Sequence, residues 1–197
     1  MRSRAPGRVI LLNGAPSCGK TTIARALWNA LDEPYWYHSL DEFRQGYTER
    51  AWDRTRGPWS AGNRELFNML VEGFLRSVRA MALSGHNVIT ESVILPMNID
   101  LYRDAFEGID VLVVGVRCPI EVAEQRERAR APSERHLGIP IPLRVAEFDL
   151  VHANGPYDVE LDTSVTSVDD AVAAIRGRLA RDTAPRAFDV WRRRPPR

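Results

Sequence analysis

Along the chain, short apolar runs alternate with longer stretches of helical periodicity. Arg8 to Leu12, Tyr35 to Ser39, Asn87 to Glu91, Val111 to Val116 and Val159 to Leu161 are short and apolar or β-branched, and read as strands. Between the second and third runs, Phe67, Leu70, Val71, Phe74, Val78 and Met81 recur every three or four residues. That spacing predicts a helix over 63–85 with one apolar face on a core and Gly85 as its C-terminal cap. Buried strands separated by helices give the α/β class, a parallel sheet covered on both faces.

Two stretches break this rhythm. Residues 121–142, "EVAEQRERARAPSERHLGIPIP", begin as a charged helix and run into prolines and a glycine, which predicts a mobile lid near 126–142. Residues 183–197 are rich in Pro and Arg and lack a core pattern, so loose order is expected there, with Phe188 and Trp191 able to dock on the body. Residues 1–182 then form one domain, as the length of 197 residues also implies.

Composition narrows the partners. The 27 basic and 26 acidic residues nearly cancel, so no global field attracts nucleic acid or a membrane surface. Cys18 and Cys118 lack metal-type spacing, which fits a reducing cytoplasm rather than a disulfide scaffold or a zinc site. The apolar run near the N-terminus, Val9 to Leu12, is too short for a signal-peptide core or a membrane span. His38 and His152 have no second ligand at metal spacing and read as structural residues.

The chemistry starts at "GAPSCGKT", residues 14–21, between the first strand and the following helix. Gly14, Gly19, Lys20 and Thr21 match G-x-x-x-x-G-K-[ST] in the context that pattern requires. Gly14, Ala15, Pro16, Ser17, Cys18 and Gly19 would curl their N–H groups around anionic oxygens at a helix N-terminus, and Thr22 continues the cradle. Side chains at the variable positions point away, so Cys18 receives no chemistry. Lys20 would reach the outer phosphates and the Thr21 hydroxyl would meet Mg²⁺. Such a loop binds phosphates without reading the base, so the nucleotide is ATP or GTP. Glu91, at the exit of the third strand, is a second metal-side acid or else a surface carboxylate.

A kinase needs a carboxylate near the acceptor hydroxyl, and Asp41 in "YHSLDEF" lies just past the second strand. Ser39 and Glu42 also form a capping box, which would make Asp41 a first-turn acid; the two roles are compatible. Arg126, Arg128, Arg130 and Arg135 offer guanidinium forks to a transferring phosphoryl group, although Glu124 and Glu127 can pair some of them on a solvated helix face. Arg126 and Arg130 share one face.

Taken together, "VILLNGAPSCGKTTIARAL", the "LDE" around Asp41, "VGVRCPIEVAEQRERAR" and "VHANGPYDVELDTS" resemble the chloramphenicol phosphotransferases, small P-loop kinases, over most of Val9 to Ser164. The resemblance implies a mononucleotide-kinase-like fold with a five-stranded parallel sheet, and transfer of a γ-phosphoryl group to a hydroxyl of a small natural product. It also implies Asp41 as catalytic base and Arg130 and Arg135 as lid arginines. The chain departs from the family at Thr90–Glu91, where paired aspartates are usual, and at residues 44–62. That second stretch carries Arg44, Tyr47, Arg50, Trp52, Arg54, Arg56 and Trp59, which suit a flat acceptor bearing polar or anionic groups. Two other readings stay open: a nucleotide-dependent switch without an acceptor, and a kinase of nucleotide sugars resembling zeta-type toxins. Oligomeric state is not encoded in these patterns.

Overall fold

Strand β1, Val9–Asn13, is buried at all five residues because it lies at the centre of a sheet with helices on both faces. In the computed structural model, residues 5–51, 61–130, 148, 150–181 and 186–193 are described. β1 is followed by α1 (Lys20–Ala30), β2 (Tyr35–Tyr37), α2 (Leu40–Arg44), α3 (Ala61–Leu83), β3 (Asn87–Ser92) and α4 (Ile99–Ala105). Then come β4 (Val111–Arg117), α5 (Ile120–Ala129), β5 (Val159–Asp162), α6 (Val168–Arg181) and α7 (Ala187–Arg193). The five strands expected from the sequence are all present, each within two residues of its expected ends. They form one parallel sheet in the order β2-β3-β1-β4-β5.

Strand alternation splits the core in two. Ile10 and Leu12 of β1 join Ile23 and Leu27 of α1, Leu112 and Val114 of β4 and Ile175 of α6 on one face. Val9 and Leu11 join Phe74 and Val78 of α3, Tyr102 of α4 and Val111 and Val113 of β4 on the other. The long helix ends in a Schellman motif: Gly85, at φ 90°, donates to Ala82 O, and His86 N donates to Met81 O.

Residues 187–193 correct the expectation of a loosely ordered tail. Helix α7 seats Phe188 and Trp191, both fully buried, in the second core. The Trp191 indole donates to Pro156 O at 2.8 Å, and Arg192 donates to the carbonyls of Phe106 and Ile109. Gly155 leaves room for this: a Cβ there would sit 2.7 Å from the indole. Two aromatic side chains three apart dock a helix whose Arg192 bonds to carbonyls, while Arg186 just before it pairs with Asp110, so the high charge does not signal disorder.

Candidate functional site

At the carboxyl edge of the sheet, where β1 separates β3 from β4, the chain turns from Asn13 into α1 through Gly14–Gly19. Ligands of open parallel sheets bind at this edge. Gly14 has no substitute: an added Cβ would lie 2.2 Å from Val116 O and 2.7 Å from Cys18 Sγ. Gly19, at φ 97°, is the N-cap of α1, and Ser17 adopts a left-handed φ of 60°. This curl aims the start of α1, with its exposed N–H groups and positive dipole end, at the loop's mouth. Lys20 is buried and donates 2.9 and 2.8 Å bonds to Gly14 O and Ala15 O, so its ammonium lies back across the loop. The Cys18 thiol is buried, which pushes its pKa up and makes it a poor nucleophile.

Beside the loop, Glu91 stands opposite Leu12 in the β1–β3 register. Its Oε2 accepts a 2.9 Å hydrogen bond from Thr21 Oγ1, and its Oε1 accepts a 2.6 Å bond from the Tyr37 phenol. Burial and the adjacent Glu91 charge hold the Tyr37 pKa far above its ordinary value, so the phenol stays a donor. Thr21 and Glu91 thus bring two hard oxygens together, one from α1 and one from β3. Among the described residues no group of three His, Cys, Asp or Glu side chains forms a metal cage. A pair of protein oxygens beside a phosphate cradle fits Mg²⁺, which keeps several waters and takes further oxygens from phosphates. Glu91 is the carboxylate expected from the sequence either beside the metal or on the surface; Tyr37 was not expected there, its only signal being its place as the last residue of β2.

The opposite wall is built from α5 and the segment after β5. Arg126 donates 2.8 Å bonds to Thr163 Oγ1 and Thr163 O, and Thr163 Oγ1 donates 2.7 Å to Cys18 O. One side chain therefore ties the loop to both elements. Beyond it opens a cavity of about 340 Å³ lined by Gly19, Thr22, Arg126, Arg130, Thr163 and Val168 among others. Glu127 Oε2 accepts 2.6 Å from Ser17 Oγ and lies 3.6 Å from Arg130 Nε. Arg128 forms an exposed i,i+4 pair with Glu124 at 2.7 Å, the solvated-face arrangement weighed in the sequence. Arg135, Trp52, Arg54, Arg56 and Trp59 lie outside the described residues, as does the expected lid beyond Arg130.

Asp41 is exposed in the first turn of α2, at the same edge of the sheet. Ser39 Oγ accepts from Glu42 N at 3.2 Å, so the capping arrangement is present and fixes the direction of the turn that carries Asp41. Arg25 of α1 pairs with Glu42 at 3.5 Å and connects this helix to the wall of the loop. His38 bonds Ser77 at 2.9 Å and packs against Phe43 and Phe74, and His152 bonds the Tyr157 phenol at 2.7 Å. Both histidines therefore have the structural roles expected of them.

Comparisons with known proteins agree with this geometry. The family described as chloramphenicol phosphotransferase-like protein matches residues 7–180. A candidate O-phosphotransferase of Mycobacterium tuberculosis is 29% identical over 213 residues, covering 98% of this chain and 92% of that protein. Among solved structures, a sugar kinase from Janibacter superposes with a TM-score of 0.65 at 22% identity, covering 89% of this chain and 95% of its own. The APS kinase of M. tuberculosis in complex with AMPPNP and APS superposes with a TM-score of 0.63 at 18% identity, covering 90% of this chain and 99% of its own. At these identities the structures establish a shared fold.

Proposed function

The chain belongs to the chloramphenicol phosphotransferase-like family, small-molecule kinases of the P-loop class, and from that premise we propose that it moves the γ-phosphoryl group of ATP or GTP to a hydroxyl of a small natural product, an antibiotic or a nucleoside being the leading classes. The observation that carries this reading is the convergence of Thr21 and Glu91, 2.9 Å apart, beside the Gly14–Lys20 loop. In the proposed reaction the loop N–H groups and Lys20 bind the outer phosphates, and Lys20 exchanges its carbonyl partners for phosphate oxygens. Thr21 and Glu91 would hold Mg²⁺, which when bound neutralises phosphate charge.

The acceptor oxygen attacks the γ-phosphorus, the bond from that phosphorus to the β,γ-bridging oxygen breaks, and the hydroxyl proton passes to the Asp41 carboxylate. Arg126, seated between the loop and Thr163, fixes one side of the nucleotide, and Arg130 supplies charge to the transferring group. Arg135 is assigned with it to the lid that excludes water. The nucleotide base is assigned to the cavity beside Arg126 and Thr163, where Thr22, Arg130 and Val168 complete the wall. We assign the acceptor to the Asp41 side of the edge, next in sequence to residues 44–62 with their arginines and aromatics. Incubating the protein with Mg²⁺, ATP or GTP and a panel of hydroxylated antibiotics and nucleosides tests this by mass spectrometry. A gain of one phosphoryl group on a panel compound supports it. Nucleotide hydrolysis unaffected by every compound, together with nucleotide-dependent capture of a protein partner, would replace it with the switch reading.

A further inference from the structure

Glu91 is held from two sides, and only one of them belongs to the nucleotide loop. Tyr37 pairs with Ile89 in the β2–β3 register, so Glu91, two residues farther along β3, projects on the same face. The phenol reaches along that face to Glu91 Oε1 at 2.6 Å and leaves Oε2 to Thr21 at 2.9 Å. Thr21 and Arg25, four apart on α1, face the same cluster. The Arg25 guanidinium stands 5.7 Å from the Tyr37 ring centroid and pairs with Glu42 of α2 at 3.5 Å. A continuous chain thus runs from Thr21 through Glu91, Tyr37 and Arg25 to Glu42, the neighbour of Asp41.

We infer that Tyr37 is a positioning residue that locks the Glu91 carboxylate in the rotamer that serves the metal beside Thr21, and that its ring, gripped by Arg25, keeps that carboxylate in register with the helix bearing Asp41. The inference rests on the metal-side reading of Thr21 and Glu91 given above. A carboxylate with one oxygen fixed by a neutral donor presents the other in a single direction, whereas a free Glu side chain samples several rotamers. Tyr37→Phe removes only the hydroxyl and keeps the ring under Arg25.

The test is calorimetric binding of AMPPNP to the full chain, with Mg²⁺ and with a chelator in its place, so that no turnover is needed. In the wild type Mg²⁺ tightens binding. Tyr37→Phe is expected to leave the metal-free affinity unchanged and to reduce the Mg²⁺-dependent tightening about tenfold, the scale on which an outer partner of a metal ligand acts. With Glu91→Gln already present, adding Tyr37→Phe should change nothing further. Arg25→Met, which frees the ring while sparing the phenol, should lose a smaller part of the same Mg²⁺-dependent gain and serves if Tyr37→Phe does not fold. Full Mg²⁺ tightening in Tyr37→Phe, or an equal loss with and without metal, overturns the inference. Absence of any Mg²⁺ effect in the wild type overturns instead the metal reading on which it rests.

Discussion

Replacing Trp191 with Ala should unfold the protein at markedly lower denaturant, because α7 is part of the core. The indole is fully buried against Phe188 and Tyr157, with ring centroids 5.9 and 5.8 Å away, and its N–H bonds Pro156 O at 2.8 Å. Burying an aromatic side chain of this size removes roughly 150–250 Å² from water, about 4–6 kcal/mol at 25 cal/mol per Å², which is an upper bound. The alanine methyl keeps a small part, and the lost hydrogen bond adds about 1 kcal/mol. A net loss of about 4 kcal/mol falls within the roughly 3–5 kcal/mol typical of Trp→Ala in cores. The matching drop in melting temperature is about 8–16 °C for a chain of this size. Urea unfolding followed by far-UV circular dichroism measures it without relying on the deleted fluorophore. Trp191→Phe, which keeps most of the ring and loses the N–H, should cost about 1–2 kcal/mol. A shift below about 1 kcal/mol for Trp191→Ala would refute the docking of α7.

Gly14→Ala should lower kcat/KM about a hundredfold, since its Cβ must displace the Val116 carbonyl or the loop itself; wild-type kinetics would contradict that steric account. Thr163→Val keeps the shape and loses the hydroxyl that joins Arg126 to Cys18 O, so the nucleotide KM should rise roughly tenfold, the equivalent of one charge-assisted hydrogen bond; an unchanged KM would remove Thr163 from the site. Burial lowers the His38 pKa below its ordinary 6.5. The unfolded chain therefore takes up this proton before the folded protein does, and the His38 contribution is complete above about pH 6.5 and declines as the pH falls. His38→Gln should flatten the fall in stability between about pH 7.5 and about pH 5.5, read from urea midpoints, and an unaltered slope would contradict the burial argument.

The sheet was legible because buried parallel strands tend to be nearly continuous apolar runs, as β1 and β4 are, while β3 showed through its β-branched Val88, Ile89 and Thr90. The loop was legible because its G-x-x-x-x-G-K-[ST] spacing stands between a strand and a helix and Gly19 answers to a left-handed cap, whereas the carbonyl that crowds Gly14 comes from distant β4. Asp41 was singled out by its place past β2 and Glu91 by its place at the end of β3. Tyr37 and Thr163 escaped because each acts through partners 54 and 37 residues away, Glu91 and Arg126, and no local pattern encodes that distance. The arginines of α5 could not be sorted by spacing, since Arg126 and Arg128 both stand near acids. Only the packing of α5 on the segment after β5 sends Arg126 to Thr163 and leaves Arg128 in solvent with Glu124. Helix α7 was hidden by its own charge, which its neighbours absorb.

The most direct test of the account is single-turnover transfer from ATP carrying a labelled terminal phosphate to whichever panel compound gains mass, comparing the wild type with Asp41→Asn. The account predicts label on the acceptor hydroxyl with the wild type, and at least a hundredfold slower transfer in the variant, the scale of a general base, with ATP affinity unchanged. Transfer at the wild-type rate by Asp41→Asn, or label released only as inorganic phosphate by both proteins, would contradict it.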